Sequence, residues 1–415
     1  MHSLLIKNAL LETGFTYDNN RVVGTETDLF DVLIENGKIV DIGKDISLEG
    51  EGHDVLQANG KLLMPSFREM HIHVDKTYFS GPWTACKPIT NGILTRIEEE
   101  QTLLPAQLPF AQQRAENMIE WLISQGHTHI RSHCNVDPQI GTKHIEITNE
   151  AFKKFEEQVT FDIVAFPQHG LLRSKVEPLI RDAMRMGATL VGGVDPSVID
   201  RDIDRSLNTT MDIAVESGKG IDIHIHNPNS LGAFEFYKLA ELTKQADKVG
   251  KVTISHAIAL GDLYGKELEE LVAVLAEAKI DVTSTVPINR PTIPIPYLHE
   301  NGVLVSLGHD SLTDHWSPFG TGNTVEKLSI LAERFKFIDE YSLNRIWKYA
   351  SGGIMPLSDA GDQVWPQKGN LANVLLIDAV CSAQAVARRR PITHVISNGK
   401  VAYKNEDLLA KEVTK

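Results

Sequence analysis

Between about residue 60 and residue 320, short apolar and β-branched runs alternate with segments of helical spacing, and this alternation limits the possible folds more than any other feature. The runs are Lys61-Leu62-Leu63-Met64, Thr128-His129-Ile130-Arg131-Ser132, Phe161-Asp162-Ile163-Val164-Ala165-Phe166 and Thr189-Leu190-Val191-Gly192-Gly193-Val194. They continue with Ile221-Asp222-Ile223-His224-Ile225, Val252-Thr253-Ile254-Ser255, Ile280-Asp281-Val282-Thr283 and Val303-Leu304-Val305-Ser306-Leu307. Between them, Ala115, Met118, Ile119 and Leu122 form one apolar stripe, ended by Gly126. Val176, Leu179, Ile180 and Ala183 form a second, closed by Gly187, and Leu268, Leu271, Val272 and Leu275 a third. Eight strands alternating with helices predict an α/β fold of the (β/α)8 TIM barrel type. An open doubly wound sheet shares the alternation, but no glycine-rich dinucleotide fingerprint follows the first strand.

The two ends read differently. Glu35-Asn36-Gly37-Lys38-Ile39-Val40 sets Asn-Gly between apolar runs, a two-residue hairpin signal because both turn positions accept positive φ. A closely similar piece, Val395-Ile396-Ser397-Asn398-Gly399-Lys400-Val401, returns near the other end, preceded by the strand-like run Ala372 to Asp378. Residues 1–60 and 365–415 are therefore expected to form one small β-sandwich-like domain, with the barrel, 61–364, inserted between them. Residues 324–352 read as helices on the barrel flank.

A formal net charge of −14, with no basic tract beyond Arg388-Arg389-Arg390, excludes a nucleic-acid partner. Three widely spaced cysteines, Cys86, Cys134 and Cys381, lack the pattern of a disulfide framework. No membrane-length apolar run and no signal-peptide pattern occurs. A cytoplasmic protein is expected.

In such a barrel the chemistry sits at the C-terminal ends of the strands, and unusual polar residues gather there. His71 and His73 follow the first strand, His133, Asn135 and Asp137 the second, and Gln168 and His169 the third. Asp195 ends the fourth, His224 and His226 the fifth, His256 the sixth, Ser284 and Thr285 the seventh, and His309-Asp310 the eighth. On extended backbone His71 and His73, two residues apart, point to one side. With His224 and Asp310 they supply three nitrogens and one carboxylate to one divalent metal ion, with a position open for water. Such an ion lowers the pKa of its water toward neutrality and creates a hydroxide nucleophile. A second ion needs a bridging ligand from strand four, where only Asp195 stands, so one ion is expected. The donor set accepts zinc or iron, and manganese as well.

These residues resemble the amidohydrolase superfamily in its cytosine deaminase-like branch. The carriers are His71-Ile72-His73, Val164-Ala165-Phe166-Pro167-Gln168, Ile221-Asp222-Ile223-His224, Ser255-His256-Ala257, and Gly308-His309-Asp310 followed by Trp316 and Gly320-Thr321-Gly322-Asn323. The resemblance implies that His71, His73, His224 and Asp310 hold one iron or zinc. It also implies that His256 contacts the attacking water or the substrate oxygen and that Gln168 binds the heterocycle edge. The family's proton-shuttling glutamate, three residues after the strand-five ligand, is here Asn227, and asparagine exchanges no proton at a useful pKa. His226 is the expected replacement. Lys76 is a second departure, and the two together resemble N-isopropylammelide amidohydrolases.

The expected activity is hydrolytic removal of an amino or alkylamino group from a small nitrogen heterocycle, by metal-hydroxide attack on a ring carbon. Asp310, His256 and His226 act in catalysis, and Gln168, Lys76 and Trp316 bind substrate. His133, His169 and His309 are read as structural, with His309 pointing away from Asp310, and Asp195 as a helix cap. The alternatives are a hydantoinase-like cyclic amide hydrolase and an inactive protein that retains metal and binds heterocycles. A homo-oligomer is compatible with all three.

Overall fold

The structure, a computed structural model, describes residues 3–48 and 52–407. Residues 1–2, 49–51 and 408–415, which include the outer parts of both end pieces, lie outside the described residues. The strands in chain order are β1 (Ser3–Asp18), β2 (Arg21–Glu35), β3 (Lys38–Gly43), β4 (Asp54–Gln57), β5 (Leu62–Pro65) and β6 (Phe67–Ile72). Then come β7 (His127–Asn135), β8 (Thr160–Phe166), β9 (Leu190–Val194), β10 (Gly220–His224), β11 (Val252–Ser255), β12 (Asp281–Ser284) and β13 (Val305–Leu307). The last three are β14 (Val374–Ile377), β15 (Ile392–Ser397) and β16 (Lys400–Lys404).

β6 to β13 form eight neighbouring parallel strands, each paired to the next. The ring closes through a parallel bridge from Ile72 to Asp310, where the Asp310 amide donates to the His71 carbonyl at 2.7 Å. Gly308 permits this closure. A Cβ there would lie 2.5 Å from the His71 Cβ and 2.8 Å from its amide nitrogen, well inside contact distance. Helices alternate with the strands around this barrel.

The chain ends build a second, largely antiparallel sheet in the order β16-β15-β14-β5-β1-β2-β3, with β4 beside β1. Both Asn-Gly turns have positive φ, 48° then 78° at Asn36-Gly37 and 48° then 76° at Asn398-Gly399. The turns also touch: a Cβ on Gly399 would stand 3.1 Å from the Gly37 Cα. The two hairpins are thus joined in space as well as alike in sequence.

One expectation is corrected. The run Leu62-Leu63-Met64 is not the first barrel strand; it pairs with β14 and β1 in the end sheet. The barrel begins with Phe67–Ile72 instead. The reason is burial on both faces. Leu62 and Met64 pack into the barrel core while Leu63 packs into the end-sheet core, and Leu375 and Leu376 of β14 divide the same way. A strand covered on both sides is apolar throughout wherever it lies, so it imitates a parallel barrel strand. The true first strand carries Arg68 and Glu69, which hide its period.

The helix Ile93–Ser124 follows β6 and is longer than its neighbours. Its first turns reach the barrel mouth, where Ile97 clusters with Phe166, Val194 and Ile199.

Candidate active site

His71 and His73 stand at the end of β6 with their rings 5.5 Å apart, and both Nε2 atoms approach Asp310 Oδ1, at 3.4 and 3.2 Å. Each ring is held by its other nitrogen. His73 Nδ1 lies 3.0 Å from the His133 carbonyl oxygen, so it carries the hydrogen and leaves Nε2 with a lone pair. His71 Nδ1 lies 2.7 Å from Ser255 Oγ, which donates to Asp222 Oδ1 at 2.7 Å. Asp222 Oδ2 in turn accepts from Arg131 at 2.9 Å. A hydrogen-bond chain therefore runs from the lower barrel to one imidazole and sets its tautomer, as metal-binding histidines require.

His224, at the end of β10, stacks on Phe166 with centroids 4.1 Å apart. Neither of its ring nitrogens has a hydrogen-bond partner, and the Nε2 atoms of His71 and His256 are likewise buried without a hydrogen bond, that of His71 facing Asp310 at 3.4 Å. One nitrogen each from His71, His224 and His256 and one oxygen of Asp310 lie within 4.8 Å of one another. Burial first, then the neighbouring imidazoles, pushes His224 well below the usual imidazole range; His256 is pushed the same way by burial and by His226. Neutral rings with free lone pairs are the state a divalent metal binds. This cluster could hold one ion, and it gathers His256 with His71, His224 and Asp310 rather than His73, whose Nε2 lies 3.2 Å from Asp310 Oδ1. Buried polar atoms are seldom left unpaired without a function.

The backbone is shaped for this convergence. Asp195, His256 and Asp310 all take left-handed φ, at 34°, 71° and 61°. Each such position costs of order 1–3 kcal/mol outside glycine, and strain of this kind gathers at functional sites.

His226 follows β10 with its side chain about one-third exposed and its ring 4.3 Å from that of His256. The Asp195 carboxylate accepts its backbone N–H at 2.7 Å and faces its Nδ1 at 2.9 Å. Asp195 is thus not the helix cap expected from sequence: its side chain caps nothing and holds His226. Burial draws His226 down, but the charge and hydrogen bond of Asp195 outweigh it and raise its pKa. Asn227 is withdrawn from any such role, since its amide donates to Glu235 and Ser197.

Lys76 is fully buried and donates to Asn135 Oδ1 and Gln168 Oε1, each at 3.0 Å. Its ammonium also lies 5.8 Å from the Phe166 ring centre and 5.7 Å from that of Trp316. Phe166 therefore neighbours both this ammonium and His224. His309 turns to Glu69, which accepts its backbone N–H at 2.9 Å and pairs with its Nδ1, as its opposite direction on the strand predicted. His169 bonds Glu100 at 2.8 Å. Neither nitrogen of His133 makes a hydrogen bond; its Nε2 lies 3.7 Å from Asp222 Oδ2 and its ring centre 4.1 Å from that of His71.

Sequence reasoning missed Glu100, Asp222, Ser255 and Arg131. Glu100 had a signal: Ile97, Leu104, Ala111, Ala115 and Met118 form a buried helical stripe, and position 100 falls within it. In Glu98-Glu99-Glu100 it looks instead like part of a solvated run.

The amidohydrolase family model (Amidohydro_3) matches residues 150–403, more than half of the chain. The chain belongs to the amidohydrolase family. This amidohydrolase is 40% identical over 400 residues to the uncharacterized protein YahJ of Escherichia coli (strain K12), covering 96% of this chain and 87% of that protein. Its structure resembles N-isopropylammelide isopropylaminohydrolase from Burkholderia multivorans ATCC 17616, with TM-score 0.85, 31% identity and coverage of 98% and 99% of the two chains. It shares its fold with 5-methylcytosine deaminase from Klebsiella pneumoniae, with TM-score 0.76, 24% identity and coverage of 97% and 98%. No helix among the described residues is long and apolar enough to cross a membrane.

Proposed function

We propose that this amidohydrolase removes an amino or alkylamino group from a small nitrogen heterocycle in a metal-dependent hydrolysis. The observation that carries the reading is the set of buried, unpartnered imidazole nitrogens around Asp310. The 31% identity to a protein named for removing isopropylamine from N-isopropylammelide supports the substrate class. His71, His73, His224 and Asp310 would hold one divalent ion, zinc or iron, with manganese as a further choice for the same donors. When bound, that ion supplies activation of a water as nucleophile.

The remaining roles belong to the chain's own side chains. Asp310 takes the proton of the attacking water. His256 directs its unpartnered Nε2 at the water or the substrate oxygen. His226, tied to Asp195 through Nδ1, keeps Nε2 for carrying a proton to the ring nitrogen and the leaving amine. Gln168, Lys76 and Trp316 hold the ring. The absence of a lysine at the end of β9, where Asp195 is engaged with His226, supports one ion rather than two and argues against a hydantoinase-like reaction.

The test is an ammonia-and-amine release screen of metal-reconstituted protein across pyrimidines, triazines, pterins and creatinine-like rings. Release of amine with an intact ring is expected. Ring-opened products would overturn the reading in favour of cyclic amide hydrolysis. Ligand binding without any product would overturn it in favour of a binding protein.

A further inference from the structure

Glu100 has no part in the proposed chemistry, yet it organises the polar side of the site. It is fully buried on the helix Ile93–Ser124. Its Oε1 accepts from His315 Nε2 at 2.7 Å and from Trp316 Nε1 at 2.8 Å. Its Oε2 accepts from His169 Nε2 at 2.8 Å and from Asn135 Nδ2 at 3.1 Å. Two donors on each oxygen fill the acceptor capacity of a carboxylate. Lys76 Nζ stands 3.6 Å from Oε1, so the buried anion also balances the buried cation. Glu100 therefore orders side chains from four separate segments and keeps nothing free for a ligand.

The polarity of this group follows from what each member can do. An ammonium donates and never accepts, so the Gln168 atom 3.0 Å from Lys76 is the carbonyl oxygen and the amide has one permitted orientation. Its NH2 group then turns away from Lys76, and no described residue is seen accepting from it. Asn135 is fixed twice over, its oxygen on Lys76 and its nitrogen on Glu100. Trp316 has spent its indole N–H on Glu100 and offers a ring face. Among Lys76, Asn135, Gln168 and Trp316, the hydrogen-bonding edge left for a ligand is the NH2 of Gln168, a donor.

We propose that Glu100 is a positioning residue that locks this edge as donor-only, so that the site selects heterocycles presenting acceptors there. Those acceptors are ring carbonyl oxygens or an ionised imide nitrogen. A ring bearing an amino group at the same place sets N–H against N–H and leaves donors unpaired. Sites built on hydrogen bonds reject such mismatches strongly, and a preference of roughly 100-fold or more is expected. The inference deepens the hydrolase reading and rests on its placement of the ring beside Gln168.

Binding separates the two ideas because it needs no turnover. Cyanuric acid, with oxo groups at every carbon, and melamine, with amino groups at every carbon, are titrated calorimetrically into the metal-loaded protein. Kinetics compare cytosine with 2,4-diaminopyrimidine, which share the leaving amine at C4 and differ at C2, where one carries an oxo group and the other an amino group. The parent protein is expected to bind cyanuric acid at least 100-fold more tightly. Glu100→Gln, which sets an amide donor against two of the four donors, should collapse that ratio and raise KM more than it lowers kcat, with metal content intact. Should E100Q fail to fold, Gln168→Met carries the same test and should also collapse the ratio. Equal binding of the two triazines by the parent, or a ratio that survives in the folded variants, overturns the proposal. Selective binding that depends on Gln168, without amine release from any ring, upholds it and sinks the hydrolase reading instead.

Discussion

At the lower end of the barrel Arg131 is held between Asp162, at 3.2 Å, and Asp222, at 2.9 Å. At the upper mouth, His224 has two ring nitrogens and His256 one that meet nothing. The same strands carry both arrangements: β10 contributes Asp222 to the lower one and His224 to the upper, two residues apart on one face. Charges that serve the fold are paired with one another, because an unpaired buried charge is costly. Donors that serve a ligand are left open and are held in place by their other atoms. Ser255 joins the two ends, since it bonds both Asp222 and His71.

The largest effect expected from breaking this contrast lies at the mouth. His73→Ala should lose bound metal and turnover together while the barrel stays folded; metal analysis and amine release measure both, and activity in a metal-free variant would refute the site. Next comes Arg131→Met, which strands two carboxylates at the lower end and should destabilise the protein by about 3–5 kcal/mol in denaturant unfolding. A loss below about 1 kcal/mol would mean that the lower ion pairs are not structural. Ser255→Ala tests the link itself. It should weaken metal binding by roughly 10- to 100-fold with a much smaller change in stability. If metal affinity is unchanged, the chain from Arg131 to His71 does not position the ligand.

The smallest effect concerns Asp281, at the start of β12, whose pKa burial pushes up to about 6, against the pull of Arg131. Between about pH 4 and pH 6 the unfolded chain has released this proton while the folded chain keeps it, so stability falls as pH rises through that window. Asp281→Asn removes the fall. It should be more stable than the parent by about 1–2 kcal/mol above pH 6 and show no advantage below pH 4. An equal gain at both pH values would assign the effect to packing rather than to ionisation.

Much of this was legible in the chain. Strand-like runs with a polar residue just past each C-terminal end announce a barrel and place His71, His73, His224, His256 and Asp310 on one rim, because β-strand direction and period are local properties. The two Asn-Gly hairpins were legible for the same reason: a turn needing positive φ selects its residues locally. Leu62-Leu63-Met64 was misassigned because burial on both faces erases the period that would have identified its sheet. Asp195 was misread because a carboxylate beside a helix start looks like a cap until its partner, His226, is located.

By itself, then, the sequence determined the elements, their order and the rim on which the imidazoles gather, all of which follow from short-range patterning. Only the tertiary structure decided which nitrogens stay unpartnered and that Asp195 holds His226. Only it brought Arg131 to His71 through Asp222 and Ser255, and set Glu100 beneath Lys76, Asn135 and Trp316. Those are contacts between strands and helices far apart in the chain, and hydrogen-bond partners at that separation leave no periodic trace in the residues that make them.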